Sequence, residues 1–455
     1  MSRYTSATDA DRREMLAAIG AESVDALFDE VVPPGVRLDR PLDLPPGKPE
    51  QEVYAYLRDL AARNVSAEDE LSFLGAGMYD HYVPALVDSI ISRSEFLTPY
   101  TPYQPEVSQG TLQVMFEYQT AISELTGLPV SNATLYEGPS ALGAAGFLAR
   151  QHHQRTRFLI SRGVHPHARQ TLATMSAGWG IDVQEIPLRD GVTDADALQE
   201  ALGEDVSAVF LAQPNFLGAV EDLEALVPGI KDCGAIAVCS CDPMTLGVLR
   251  PPGDFGVDIA VGEGQPLGNR LDYGGPSFGF FAAQQAFLRR IPGRIAGETT
   301  DLDGRRGFVL TLQTREQHIR REKATHNITT AQTLNALAGV VYLSWLGKQG
   351  LVELAELMLQ RTAYARETLA AIDGVELLHD KPVVREFAVR LPGADVPAVI
   401  EACAAEGVNP GYALGRDDEA LADGLLIAIT EQRTKAHIDR LASVLKAAVR
   451  EVAHA

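Results

Sequence analysis

The chain has 455 residues, 46% of them hydrophobic and 22% charged, with 40 glycines and 26 prolines, a composition typical of a globular enzyme large enough for more than one core. Its formal net charge of −22 at pH 7 excludes nucleic acid as a partner, because the phosphates would be repelled. No run of about 18 apolar residues occurs, which excludes a membrane span. The opening MSRYTSATDADRREML lacks the apolar stretch of a secretory signal, so a cytoplasmic location is expected.

Residues 1–65 read as helical pieces around a proline-rich stretch, VVPPGVRLDRPLDLPPGKPE, a kind of segment that wraps a neighbour and lacks a core of its own. Next, FLGAGMYDHYVPALVDSIISRSEFLTPYTPYQPEVSQG reads as loop, helix and then a Pro/Tyr segment. TLQVMFEYQTAISELTG spaces Leu112, Met115, Phe116, Ile122 and Leu125 along one helical face and stops at Gly127. VSNATLY reads as extended chain and EGPSALGAAGFLARQHH as a helix. Then RFLIS, VQEIPL, AVFLAQP and AIAVCSCD are short β-rich runs, separated by HARQTLATMSAG, DADALQEALG and EDLEALVPGIKDCG, each long enough for a helix. That alternation predicts an α/β domain with a mostly parallel sheet.

After the strands VDIAV and FGFFAA the carboxyl third changes character. ITTAQTLNALAGVVYLSWLG and VELAELMLQRTAYARETLAAI read as long helices. The strands VELL and EFAVRL, the helix VPAVIEACAAEG, the strand LLIAIT and the helix KAHIDRLASVLKAAVREV follow. The expected organisation is an extension over 1–65, a large α/β domain over 66–335 and a small C-terminal α+β domain over 336–455. This tandem suits the fold-type-I pyridoxal-phosphate (PLP) enzymes.

Several motifs admit both a chemical and a structural role. Cys239 and Cys241 in VCSCD, with Cys233 and Cys403 elsewhere, are too few for a disulfide framework or a metal site and read as small buried residues. EGPSALGAAG is either a phosphate-holding helix N-terminus or a tight helix start. His165 either stacks on a pyridine ring at the sheet rim or caps the next helix. Asp242 either pairs with a pyridine nitrogen or caps a turn. Gln213 and Asn215 end a strand at the same rim. GEGQPLG is not a dinucleotide loop, because a second glycine-rich loop and a strand follow where a helix should begin.

Tyr100, Tyr103, Gln104 and Glu106 lie on proline-stiffened chain that suits a binding surface or closes over a core. Arg315, Arg320, Arg321 and Lys323 form a basic patch for carboxylate or phosphate, or a solvated helical face. GEGQPLGNRLDYGGPSFGFF has the strand–glycine loop–strand setting in which many PLP enzymes carry their Schiff-base lysine, yet it contains no lysine.

LTPYTPYQPEVSQG, LYEGPSALGAA, QPNFLGAVED, YGGPSFGFF and LQTREQHIRREKATHNITTAQ resemble the P-protein of the glycine cleavage system, glycine dehydrogenase (decarboxylating). They are similar specifically to its N-terminal half, which in many bacteria and archaea is a separate α chain, subunit 1. In that family a paralogous β chain has the PLP lysine in a His-Lys-Thr motif before a glycine-rich loop ending in Gly-Gly-Pro. Aligning that ending with Gly274, Gly275 and Pro276 puts Gln265 in the lysine position. The resemblance therefore implies no catalytic residue, covalent cofactor or metal in this chain, with PLP held by the partner β subunit (subunit 2).

It further implies an α2β2 assembly that decarboxylates glycine, releases CO2 and passes the aminomethyl group to the lipoyl arm of the H-protein. Tyr100, Tyr103, Gln104 and Thr330 are the candidates contributed in trans to the partner's site. The alternatives are a scaffold for the β subunit that never touches substrate, and a self-sufficient PLP enzyme with a displaced lysine, for which Lys323 is the nearest choice.

Overall fold

The computed structural model describes residues 6–453 apart from 39 and 276. It divides into two compact units, Met1–Val65 and Ser66–Ala455. The first contains helices α1 (Asp9–Ile19), α2 (Val24–Val31) and α3 (Glu50–Ala61), none of which buries a side chain. Between α2 and α3 the proline-rich chain leaves Val36, Leu38, Leu42 and Leu44 exposed.

The second unit is built on a seven-stranded sheet. In chain order its strands are β1 (Val130–Ser131), β2 (Arg157–Ser161), β3 (Asp182–Ile186), β4 (Val206–Gln213), β5 (Ile236–Cys241), β6 (Ile259–Glu263) and β7 (Gly279–Ala283), arranged β1-β7-β6-β5-β4-β2-β3. Strands β2 to β6 pair in parallel, while β7 runs antiparallel to β6 and β1.

Both faces of this sheet are apolar. In β4, Val209 and Leu211 enter one core cluster and Ala208, Phe210 and Ala212 the other. A strand buried on both sides reads as a continuous apolar run, as AVFLA does. Each fully buried Phe or Leu contributes about 2 kcal/mol. Helices cover the two faces: α4 (Gln109–Thr126), α5 (Gly138–His152), α6 (Pro166–Trp179), α7 (Ala195–Ala201) and α8 (Leu223–Asp232). The α4 helix ends at Gly127, whose φ of 68° is the left-handed cap geometry.

A hairpin of β8 (Ile295–Thr300) and β9 (Arg306–Thr311) packs Ala296, Phe308 and Leu310 against Leu112 and Met115 of α4. The long helix α9 (Thr333–Ala370) is broken at Gly347, with φ 65° and ψ 179°. It leads to a four-stranded sheet of β10 (Glu376–Leu377), β11 (Glu386–Arg390), β12 (Tyr412–Ala413) and β13 (Gly424–Ala428), ordered β10-β11-β13-β12. Helices α10 (Val396–Ala405) and α11 (Lys435–Ala453) close this third core around Phe387, Val389, Leu425 and Ile427. No helix among the described residues is long and apolar enough to cross a membrane.

Candidate functional site

The parallel strands β2, β4, β5 and β6 end at Ser161, Gln213, Cys241 and Glu263. At this carboxyl edge, where open α/β sheets bind their ligands, lies a cavity of about 390 Å³ lined by Tyr79, His165, Asp242, Glu263, Arg385 and Glu386 among others. The segment carrying Tyr79 comes from the start of the second unit, and Arg385 and Glu386 come from the edge of the small sheet.

The cleft's polar groups are already partnered. Asp242 meets the Nε of Arg385 at 2.6 Å, an ion pair whose N–H is not aligned for a hydrogen bond. The Arg385 guanidinium lies 3.5 Å from the centroid of the Tyr79 ring and donates to Nε2 of His81. A guanidinium only donates, so that nitrogen accepts and the His81 proton sits on Nδ1. From there it donates to Glu431 at 2.6 Å. The Tyr79 hydroxyl donates to Glu386 at 2.7 Å, and the Ala76 N–H donates to the same carboxylate at 2.8 Å. Burial pushes Glu386 up to about 7, against the pull of those two donors and of Arg385.

Gln265, which the resemblance puts in the lysine position, is fully buried. Its Oε1 accepts the Tyr79 N–H at 2.9 Å, and its Nε2 donates to the carbonyls of Tyr79 and Asn269 at 3.0 and 2.8 Å. Both ends of the amide are satisfied inside the chain. Pro276, used in that alignment, lies outside the described residues.

EGPSALGAAG forms the start of α5, and its exposed-donor reading fails. The Gly138 N–H donates to Glu263 Oε2 at 2.9 Å, Pro139 has no N–H, and the Ser140 N–H donates to the capping Glu137 at 2.9 Å. Glu263 also accepts from Ser277 Oγ and, at 3.0 Å, from the Gln265 N–H. Its carboxyl is raised above the usual range by burial, opposed by those donors. Gly138 lets the two segments approach closely: an added Cβ would lie 3.0–3.2 Å from the Glu263 backbone and Cβ, tight enough to push Glu263 aside.

The remaining candidates divide. His165 lines the cleft but also caps α6: its Nδ1 accepts from the His167 N–H at 3.1 Å, so Nε2 carries the proton and donates to the Ala76 carbonyl at 2.9 Å. Burial lowers its pKa. Gln213 and Asn215 do not offer free amides to the rim, because both hydrogen-bond Glu221. Arg315 does not belong to a surface patch. It is buried and donates to the carbonyls of Leu312, Ile291 and Gly293, and burial lowers it to about 10. Arg320, Arg321 and Lys323 are exposed. Cys239 and Cys241 are buried free thiols, and burial raises Cys239 to about 12.

Tyr100 and Thr330 come together on a second cavity of about 240 Å³, with Phe96, Pro99, Thr111 and Leu337. The Thr330 loop is pinned on both sides, by the Thr329 N–H donating to Tyr136 at 3.0 Å and the Gln332 N–H donating to Thr134 at 2.8 Å. Tyr103 stands beside this cavity. Its hydroxyl accepts from Arg294 at 3.0 Å, and Arg294 also donates to the Thr329 carbonyl at 2.5 Å. Gln104 is exposed at the start of the turn Pro105–Val107.

Sequence reasoning missed Tyr79, Arg385 and Glu386, which reach the cleft only through contacts between residues far apart in the chain. It also missed Glu263. There only part of the signal was local, a carboxylate ending an apolar strand; the helix N-terminus that it faces lies 125 residues away in the chain.

The architecture is that of fold-type-I PLP-dependent enzymes. A cysteine desulfurase of Escherichia coli superposes over 85% of this chain and 96% of its own with a TM-score of 0.63 at 15% identity. A sphingosine-1-phosphate lyase of Burkholderia pseudomallei superposes over 93% and 96% with a TM-score of 0.64 at 16% identity; at such identities the likeness shows fold alone. A crystal structure of glycine decarboxylase (P-protein) of the glycine cleavage system, in inhibitor-bound form, superposes over 98% of this chain and 100% of its own, with a TM-score of 0.89 and 43% identity.

The family model described as glycine cleavage system P-protein matches residues 2–445. Chains named probable glycine dehydrogenase (decarboxylating) subunit 1 are 47% identical in Geobacillus kaustophilus, over 98% of this chain and 99% of that one, and 47% identical in Carboxydothermus hydrogenoformans, over 97% and 99%. The chain belongs to the glycine cleavage system P-protein family, among its subunit 1 chains.

The cleft does not fit the cofactor of the fold. Among the described residues no lysine lines it, Asp242 is paired with Arg385, and the donors at the start of α5 that would hold a phosphate are bonded to Glu137 and Glu263.

Proposed function

We propose that this chain is the α subunit of a two-chain P-protein whose PLP is held by the β subunit. The pair decarboxylates glycine, releases CO2 and transfers the aminomethyl group to the lipoyl arm of the H-protein, as a cytoplasmic α2β2 assembly. The observation that carries the reading is the internally satisfied cleft. Gln265 has no amine to form an imine, and the surrounding charges are already paired, so the chemistry belongs to another chain. Lys323, the displaced-lysine alternative, is exposed and does not line the cleft.

This chain's part in catalysis is to complete an interface site. Tyr100 and Thr330 share one cavity and Tyr103 is fixed beside them by Arg294, so these side chains are preorganised to meet a partner at low entropic cost. Tyr103→Phe or Gln104→Ala, assembled with the β chain, should lower glycine–CO2 exchange about ten- to hundredfold, the effect of losing one transition-state hydrogen bond of roughly 1–3 kcal/mol. Size-exclusion chromatography should show the assembly intact. Full activity in both variants would favour the scaffold reading.

A further inference from the structure

We infer that Glu263 is a built-in occupant of the anion cup at the start of α5, and that this carboxylate, in addition to the absent lysine, keeps the cleft from taking a phosphate-bearing cofactor. The inference rests on the reading that this chain works without its own PLP, and deepens it by naming the residue that excludes the cofactor.

A helix N-terminus beside a sheet edge holds anions because its first N–H groups lack intrahelical partners and the helix dipole favours negative charge there. In this chain those groups are engaged from within. Glu263 accepts from the Gly138 N–H, the Gln265 N–H and the Ser277 hydroxyl, and Glu137 accepts the Ser140 N–H. Glu263 thus makes the contacts that phosphate oxygens would otherwise make, with its backbone against Gly138. A phosphate entering the cup would meet a carboxylate it repels, with the Gly138, Ser140 and Gln265 N–H groups and the Ser277 hydroxyl already engaged. The position is also economical. Glu263 is two residues before Gln265, so one short loop carries both the filled cup and the neutral side chain in the lysine position.

The test uses the full-length chain and three variants: Gln265→Lys, Glu263→Ala, and both together. Each is incubated with pyridoxal phosphate and borohydride, and the labelled residue is identified by mass spectrometry. The double variant should trap a phosphopyridoxyl group at position 265, while Gln265→Lys alone traps at least about tenfold less, as expected when the donors held by Glu263 are withheld from the phosphate. Equal trapping by Gln265→Lys alone, or none by a folded double variant, would overturn the inference. A stoichiometric adduct on any one lysine of the unaltered chain would instead overturn the reading beneath it.

Inorganic phosphate gives a second measure independent of imine chemistry. At constant ionic strength it should raise the Tm of Glu263→Ala and leave that of the parent chain unchanged, because phosphate replaces the lost carboxylate on the freed N–H groups. A Glu263→Ala variant that is unfolded without phosphate and recovers structure with it meets the same expectation. Equal phosphate responses in the two proteins would contradict it.

Discussion

Glu386 illustrates how single residues are tuned in the cleft. Burial raises its pKa to about 7, while its ordinary value is 4.5. The folded chain therefore binds more protons than the unfolded chain between those values. The stabilisation is full below pH 4.5 and is lost as pH rises through 7, up to about 3 kcal/mol over the window. The charged groups facing it are Arg385 and Asp242, with the Tyr79 hydroxyl as donor. Glu386→Gln should flatten that part of the stability profile, measured by urea unfolding at pH 5, 6 and 7; an unchanged slope would rule out Glu386 as its source.

The residue scale is also where the sequence was least informative. Gln265 was visible as an absence, because a glycine-rich loop between strands carried no lysine. The pairing of Asp242 with Arg385, and of Tyr79 with Glu386, was invisible, since nothing in a linear pattern reveals which residues a cleft recruits from opposite ends of the chain. Arg315 was misjudged for a related reason. Its guanidinium satisfies buried carbonyl groups nearby, and burial of those acceptors cannot be read from composition.

At the scale of elements the pattern was more legible. Strands buried on both faces announce themselves as apolar runs, and α4 stopped at Gly127 because only a left-handed residue ends it that way. The hairpin β8–β9 was not anticipated, although Asp303-Gly304 marks its turn, because its strands mix polar and apolar residues and only one face is packed. The break in α9 fell where two separate helices were expected. Gly347 adopts a φ/ψ combination open essentially to glycine, and an added Cβ would meet nothing within 4 Å. Gly347→Ala therefore isolates backbone strain from packing. It should destabilise the chain by about 1–3 kcal/mol, read as a lowered Tm. No change in Tm would mean that the helix simply straightens through this point.

For the whole molecule, the distribution of apolar surface bears on assembly. Helices α1–α3 bury no side chain, and Phe28, Val31, Leu42, Leu44 and Tyr54 are exposed. A β chain covering this unit and the Tyr100–Gln104 loop would bury on the order of 2,000 Å² or more. Replacing Leu42 and Leu44 by aspartate should weaken association at least about tenfold, as for apolar anchors in a buried interface, while the Tm of this chain alone stays unchanged. Unaltered co-elution of the double variant with the β chain would place the interface elsewhere. The division of labour between the two chains is tested most directly by glycine–CO2 exchange measured on this chain alone, on the β chain alone and on the mixture, each supplied with PLP and H-protein. This chain alone should give no exchange and only the mixture full exchange; exchange by this chain alone would rule out a β-borne site.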